Sequence, residues 1–240
     1  MRAVAVGAAV VLLAAACGAG AGPAAVPSQA EPDAASTSAP APEVAAPAEA
    51  DPAQEPAPEP PPRLTVSDGR PRDARLSIPR LGVRDLAVVA YRGFTDDAPG
   101  TEIQNDGRAA SPHGPRGGVG PGGVGNYQVT AHRTSSTRAF EFLPELRPGA
   151  RVIVRAGGVE YVYRITKTRE TSFRSARSLR EQRAAVPGHP GRRATRAMIT
   201  LSTCATPEDH AAGNYWADEF DNPEHRIDKI GVLVATRGPR

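Results

Sequence analysis

The chain is 240 residues long, with 24 Gly, 25 Pro and only 5% aromatic residues. This composition supplies too few large apolar side chains for a packed core throughout, so part of the chain is expected to be tail. The net charge is +3, but no aromatic interleaving, zinc-finger spacing or basic amphipathic helix accompanies it, so nucleic acid is not an expected partner.

Residues 1–22 are predicted to direct export. One arginine precedes an apolar run at 3–16, which is shorter than the roughly 20 residues of a membrane span and typical of a secretory signal. The run ends in three alanines and Cys17, a pattern that resembles a lipobox, in which the cysteine is lipidated. Lipidation of Cys17, an uncleaved membrane anchor and simple secretion all remain open. Each of them places the body of the protein outside the cytoplasm.

Residues 23–62 are predicted to be a disordered linker. They hold 12 Pro, 13 Ala and 7 acidic residues, without Lys, Arg or aromatic residues. Such a segment cannot bury enough apolar surface to offset the entropy lost on ordering, and its prolines favour an extended tether. The linker carries a charge of −7 and Arg2 carries +1, so the net charge of +3 leaves +9 on residues 63–240. That charge suits anionic wall polymers or lipid headgroups, although a solvated basic surface without a partner is equally compatible.

Residues 63–240 have the length of one domain. An alternating stretch at 74–79 and an apolar run at 86–91 predict an opening hairpin. Residues 93–126 contain ten Gly and four Pro and are predicted to be a long loop. This loop leads into a strand at 127–131.

The second half of this domain continues as short strands. A helical turn at 140–146 precedes a hairpin whose strands, 151–155 and 159–171, meet at Gly157-Gly158. Residues 172–195 are predicted to be a loop with at most one short helix, before further strands at 197–201 and from 226 onward. Short strands, little helix and no alternation of strands with helices predict an all-β closed sheet.

Cys204 is the candidate nucleophile. The chain has two cysteines, and because Cys17 lies in the export segment, Cys204 is left as an unpaired thiol in a compartment where disulfides persist. It follows the β-branched run 197–201, where strand gives way to loop. A free cysteine in that position is more often an inert core residue, so the residue type alone leaves both interpretations open.

Residues 200–204, Thr-Leu-Ser-Thr-Cys, resemble the active-site motif of the sortases, which are cysteine transpeptidases of Gram-positive cell surfaces. Two further matches follow in the family's order. The segment 130–133, Thr-Ala-His-Arg, is similar to the one that carries the sortase histidine, and Arg226 opens the last apolar run as the sortase arginine does. The resemblance covers roughly residues 74–236 and implies an eight-stranded β-barrel with short helices and long loops.

The resemblance implies catalytic roles for His132, Cys204 and Arg226 and a substrate contact for Thr203. A thiol with an ordinary pKa of about 8.5 is mostly protonated at neutral pH, so it needs a nearby base or cation. His132 can act as that base and then protonate the leaving amine. Arg226 can hold the substrate carbonyl or its oxyanion. Arg133 adjoins His132, but strand alternation directs it to the opposite face and favours Arg226.

The implied activity is cleavage of a Leu-Pro-x-Thr-Gly or Leu-Ala-x-Thr-Gly sorting signal through a thioacyl intermediate. The acyl group of a secreted protein would pass to the amine of a peptidoglycan precursor or a pilin, with the enzyme held at the membrane by its N-terminus. Among actinobacterial types, class E is favoured over class F.

Three alternatives are kept. The first is a thiol hydrolase on the same scaffold, and the second is a non-catalytic wall-binding module. The third is a metal-binding lipoprotein that uses Cys204, His210 and His225, although no paired ligand spacing is present. No cofactor or metal site is predicted, while the acidic loop 209–224 leaves calcium open.

Overall fold

The computed structural model of the protein describes residues 64–238. The predicted export segment 1–22, the linker 23–62 and Cys17 lie outside these residues.

None of the helices formed by residues 64–238 has the length and apolar character needed to cross a membrane.

Eight strands form the sheet: β1 (Ala74–Ile78), β2 (Val83–Arg92), β3 (Ala109–His113), β4 (Gly125–Thr130), β5 (Arg151–Ala156), β6 (Val159–Ser172), β7 (Ala197–Cys204) and β8 (His225–Arg237). They close into a barrel in the order β1-β2-β3-β4-β7-β8-β6-β5, and β5 pairs back to β1. Two pairs, β2 with β3 and β4 with β7, are parallel. The predicted all-β closed barrel is confirmed.

Helical structure is confined to the connections. The α-helices are α1 (Ala98–Asn105), α2 (Ala176–Arg183) and α3 (Thr206–Ala211), and two 3₁₀ turns lie at Pro79–Leu81 and Leu143–Glu145. The second 3₁₀ turn lies in the predicted helical turn at 140–146, and α2 is the single short helix expected within 172–195.

All eight strands contribute to one apolar core. In β5, Val152 and Val154 are fully buried while Arg151 and Arg155 are exposed, which is the period of two expected for a strand with one face on a core. The same alternation places Ile199 and Leu201 of β7 in the core. The inner face of β7 is therefore apolar as far as Leu201, which lies three residues before Cys204.

The prediction of one long loop at 93–126 is wrong, because this segment contains α1 and β3. Its helix has ordinary start signals: the Asp97 side chain accepts a hydrogen bond from the Gly100 amide at 3.1 Å, and a proline lies in the first turn. A loop remains at 114–124, where Gly120 is required by crowding, since a Cβ there would lie 1.9 Å from the Arg70 carbonyl oxygen. The high glycine count of 93–126 concealed the helix and the strand that precede this loop.

Asp228 and Lys229 interrupt the apolar pattern of β8, yet both are buried. The Asp228 carboxylate accepts hydrogen bonds from Ser202 Oγ and Thr171 Oγ1, each at 2.6 Å, and from Gln182 Nε2 at 3.0 Å. Lys229 donates to a backbone carbonyl and a threonine hydroxyl. Polar partners therefore satisfy both residues, and the Asp228 cluster ties α2 to β6, β7 and β8.

We expect Asp228→Ala to destabilise the fold, because it leaves three buried donors without their acceptor. An unsatisfied buried donor costs about 1–3 kcal/mol, so the free energy of unfolding should fall by roughly 3 kcal/mol in urea denaturation. Glu219→Ala, at an exposed position, is the matched control and should change it by less than about 0.5 kcal/mol. A loss below about 1 kcal/mol for Asp228→Ala would contradict a stabilising role for the cluster.

Candidate active site

The pairing of β7 with β8 places Cys204 directly opposite Arg226. Residues opposite each other in an antiparallel pair project from the same face of the sheet, so the thiol and the guanidinium side chains share one face. Cys204 is the last residue of β7, and Ala205, which follows it, donates its amide to the His225 carbonyl at 2.9 Å. The two strands thus remain bonded up to the candidate nucleophile.

The Arg226 side chain is buried, with 1% of its surface exposed. Its Nε–H donates to Asp96 Oδ2 at 2.9 Å, and its guanidinium carbon lies 4.4 Å from the centre of the Phe173 ring. Its Nη1 and Nη2 are also buried and have no hydrogen-bond partner among residues 64–238. Because unpaired buried donors are costly, these two nitrogens are well suited to bind an oxygen that a substrate brings.

His132 follows β4 by two residues and is partly buried. Its Nε2 lies 2.8 Å from Asn105 Oδ1 at the end of α1. With an amide oxygen as acceptor, Nε2 carries the hydrogen and Nδ1 is the nitrogen that can accept a proton. Burial lowers the pKa of His132, the negative charge of Asp96 opposes this shift, and Arg226 adds to it.

Cys204 is a free, partly exposed cysteine. Burial raises the pKa of its thiol, Arg226 opposes that shift and Asp96 adds to it. A raised thiol pKa beside a lowered imidazole pKa means that the neutral thiol and neutral imidazole predominate near pH 7. The ionised pair is therefore a minor species before substrate binds.

Arg133, the alternative arginine, is bound to other groups. It forms a two-point ion pair with Glu208 of α3, in which Nη2 lies 3.0 Å from Oε1, and its Nη1 donates to the backbone carbonyl of Cys204 at 3.3 Å. Arg226, in contrast, has unpartnered donors. The geometry therefore favours Arg226 for an oxygen of the substrate.

Thr203 is 2% exposed, and its hydroxyl donates to the Ala131 carbonyl at 2.8 Å. By strand alternation its side chain lies on the opposite face of β7 from that of Cys204. The contact fixes the segment that carries His132 against β7. A contact of Thr203 with substrate stays a prediction.

The sequence did not reveal three residues that support this site: Asp96, Gln104 and Asn105. Asp96 accepts from Arg226 through one carboxylate oxygen and from Gln104 Nε2 through the other, at 3.0 Å. All three lie within the segment predicted to be loop. The signal that could have found them is the helix start at Asp97-Ala-Pro, which places Gln104 and Asn105 in the last turn of one helix.

The alternative of a metal-binding lipoprotein requires Cys204, His210 and His225 to lie close together. The His210 ring stacks on Tyr215, while His225 Nδ1 lies 2.6 Å from Asp209 Oδ1. Within residues 64–238 no group of three His, Cys, Asp or Glu side chains is arranged to hold a metal ion. The structure does not bring the three candidate ligands together.

Both the sequence and the fold resemble those of known proteins. The family model described as the sortase domain matches residues 76–217, a range that includes His132 and Cys204 and ends before Arg226. A search of the curated proteins returns no match.

Three solved structures show the same fold. The SrtA sortase from Actinomyces oris has 18% identity, covers 74% of this chain and 88% of its own, and gives a TM-score of 0.53. Sortase E1 from Streptomyces coelicolor, described with a tripeptide in its active site, has 20% identity, coverages of 72% and 94%, and a TM-score of 0.52. Sortase E from Streptomyces avermitilis has 23% identity, coverages of 71% and 91%, and a TM-score of 0.50.

We expect iodoacetamide to alkylate Cys204 in the folded chain. The rate should rise with pH, and the midpoint pH of that rise should lie above the pKa of an ordinary cysteine because burial raises the pKa of this thiol. The full chain carrying Cys17→Ser leaves Cys204 as its single thiol. Arg226→Gln should move the midpoint to still higher pH, because the nearby cation favours the thiolate. Arg164→Gln, at an exposed position of β6, is the control and should leave it unchanged. A thiol that reacts only after denaturation would instead identify an inert core cysteine.

Proposed function

The chain belongs to the sortase family, and we propose that it is a cysteine transpeptidase in which Cys204 is the nucleophile, His132 the acid and base, and Arg226 the oxyanion donor. The observation that carries these roles is the pairing of Cys204 with an arginine whose Nη1 and Nη2 have no partner in the described residues. Sortases act outside the cytoplasm, so an exported chain fits the proposal.

The first step forms the carbon–sulfur bond. His132 Nδ1 accepts the thiol proton as Cys204 Sγ attacks the carbonyl carbon at the cleavage point of the sorting signal. The carbonyl oxygen becomes an oxyanion, which Arg226 Nη1 or Nη2 stabilises by donating to it. Buried, fixed donors act strongly here because they need little reorganisation when charge develops.

The second step breaks the carbon–nitrogen bond. The oxyanion collapses, the protonated His132 gives its proton to the leaving amine, and a thioester remains on Cys204. In the third step the acceptor amine attacks the thioester and loses a proton to His132. The carbon–sulfur bond then breaks, and His132 returns the proton to Cys204 Sγ. Water can enter in place of the amine, and the product is then the hydrolysed acid.

The two pKa shifts are compatible with this sequence of proton transfers. A neutral imidazole with a lowered pKa is available to accept a proton, and its imidazolium form gives that proton up readily to the leaving amine. The raised thiol pKa keeps the nucleophile protonated until His132 removes the proton. Arg226 stays charged throughout these proton transfers, so its positive charge is available to the oxyanion at every step.

The proposed substrates are secreted proteins with a Leu-Pro-x-Thr-Gly or Leu-Ala-x-Thr-Gly signal, and the proposed acceptors are amines of a peptidoglycan precursor or a pilin. Class E is the proposed subgroup. The proposed location is the outer face of the membrane, with the N-terminal segment as the anchor, and lipidation of Cys17 stays a prediction. The basic charge of residues 63–240 supports association with anionic wall polymers.

The test is incubation of the full chain carrying Cys17→Ser with a panel of sorting-signal peptides, with and without triglycine. We expect mass spectrometry to detect a thioacyl adduct on Cys204, and a transfer product that accumulates only with the amine. Hydrolysis alone, at a rate that triglycine does not divert, would favour the thiol hydrolase. No adduct with any peptide would favour the non-catalytic wall-binding module.

The division of roles predicts that Arg226→Lys slows peptide cleavage strongly, because lysine keeps the charge but loses the planar pair of Nη donors. Loss of one oxyanion donor costs about 10²- to 10³-fold in rate. Arg133→Lys is the matched control and should have a smaller effect, since Arg133 contacts Glu208 and a backbone carbonyl. Near-normal cleavage by Arg226→Ala together with a large loss in the Arg133 variant would reverse the assignment.

A further inference from the structure

We propose that Asp96 is a positioning residue for this reaction, which holds Arg226 so that Nη1 and Nη2 face the carbonyl oxygen of the substrate. The inference rests on the proposed function for its role in turnover. Its geometric basis is independent of substrate. Asp96 belongs to the segment between β2 and α1, far in sequence from the three predicted catalytic residues.

The ion pair between Asp96 and Arg226 is buried on both sides, with 5% and 1% of the side chains exposed. Both carboxylate oxygens are used, because Oδ2 accepts from Arg226 Nε and Oδ1 accepts from Gln104 Nε2. Gln104 Nε2 also donates to the Gly100 carbonyl at 3.2 Å. The carboxylate is therefore held from the side of α1 and has little freedom to rotate.

The form of the contact matters as much as its presence. Arginine frequently pairs with a carboxylate through two parallel N–H bonds, and at least one of them comes from a terminal nitrogen. Of the three nitrogens of the Arg226 guanidinium, only Nε donates to Asp96. Phe173 lies over one face of the guanidinium. The side chain is thus anchored by one nitrogen and one face, and its Nη donors stay free.

The backbone at Asp96 has a left-handed conformation, with φ of 57°. Non-glycine residues rarely adopt this region, although Asp and Asn tolerate it best, and such conformations are retained where the surroundings enforce them. The next residue, Asp97, caps α1. The unfavourable turn directs the Asp96 carboxylate toward Arg226 while Asp97 begins the helix.

The same helix also holds the base. Asn105, the last residue of α1, contacts His132 Nε2, whereas Gln104 supports the carboxylate that holds Arg226. The segment 96–105 therefore sets the positions of the proton acceptor and of the oxyanion donor relative to each other. A displacement of about 1 Å in such a group can cost about 100-fold in rate.

Asp96 has an electrostatic effect that opposes its positioning effect. Its negative charge raises the pKa of Cys204 and of His132. The other charges acting on the thiol are the cations Arg226 and Arg133, and Glu208 pairs with the latter. Removing the charge of Asp96 should therefore make the thiolate easier to form. A residue that only supported the fold would not produce this change.

The test is Asp96→Asn in the full chain carrying Cys17→Ser. Asparagine keeps the shape and tolerates the left-handed backbone, but its amide has one oxygen, so Arg226 or Gln104 loses its acceptor. We expect the midpoint of iodoacetamide alkylation of Cys204 to move to lower pH. We also expect peptide cleavage to slow by about 10- to 100-fold, mainly in kcat. The thiol would become easier to ionise while the enzyme became slower.

Asp85→Asn is the matched control. Asp85 also has a left-handed backbone, with φ of 51°, its exposed side chain lies 3.8 Å from Arg75, and it is not among the charges that shift Cys204 or His132. Both alkylation and cleavage should stay close to those of the parent chain. Slower cleavage in Asp96→Asn with a matching fall in thermal stability and no shift of the alkylation midpoint would assign Asp96 a folding role and overturn the proposal.

Gln104→Ala separates position from charge, because it removes a support of the carboxylate and leaves its charge in place. We expect slower cleavage without a shift of the alkylation midpoint. If even the parent chain cleaves no peptide, the proposed function fails. The alkylation midpoints still test whether the charge of Asp96 acts on the Cys204 thiol. An unchanged midpoint in Asp96→Asn would overturn the proposal in either case.

Discussion

The site depends on the antiparallel pairing of β7 with β8, which sets Cys204 opposite Arg226. Neither residue could be moved by one position without sending its side chain to the other face of the sheet. The pairing continues from Met198 to Cys204, and the Asp228 cluster ties the same strands to α2. Closure of the barrel thus supplies the rigid support on which a thiol and a buried cation can face one substrate.

A buried arginine needs a negative charge nearby, and Asp96 supplies it to Arg226. Asp96 balances the charge of Arg226 through a single nitrogen and leaves Nη1 and Nη2 without partners. The carboxylate makes the thiol harder to ionise, a cost that is acceptable if His132 removes the proton during attack. The site is therefore better suited to stabilise the oxyanion as its charge develops than to hold Cys204 as a thiolate before substrate binds.

The sequence predicted the features that depend on local pattern. A β-branched apolar run predicted β7, and a hairpin pattern around two glycines predicted β5 and β6, which the structure contains. The Thr-Leu-Ser-Thr-Cys motif predicted the nucleophile, and two similar segments predicted the histidine and the arginine, of which the structure sets Arg226 opposite Cys204. The sequence failed where contacts are long-range or composition misleads. The ion pair between Asp96 and Arg226 joins residues 130 positions apart, and the glycine-rich composition of 93–126 concealed α1. Asp228 interrupts the apolar pattern of β8, and its partners come from three other elements, which local pattern does not predict.

The most direct test of the account is a crystal structure of the chain with a sorting-signal peptide aldehyde bound covalently to Cys204. The hemithioacetal oxygen occupies the position of the oxyanion. We expect this oxygen to accept a hydrogen bond of about 2.7–3.1 Å from Arg226 Nη1 or Nη2, with Nε still bound to Asp96. An oxygen held instead by Arg133 or by backbone amides, with Arg226 turned away from the peptide, would contradict the account.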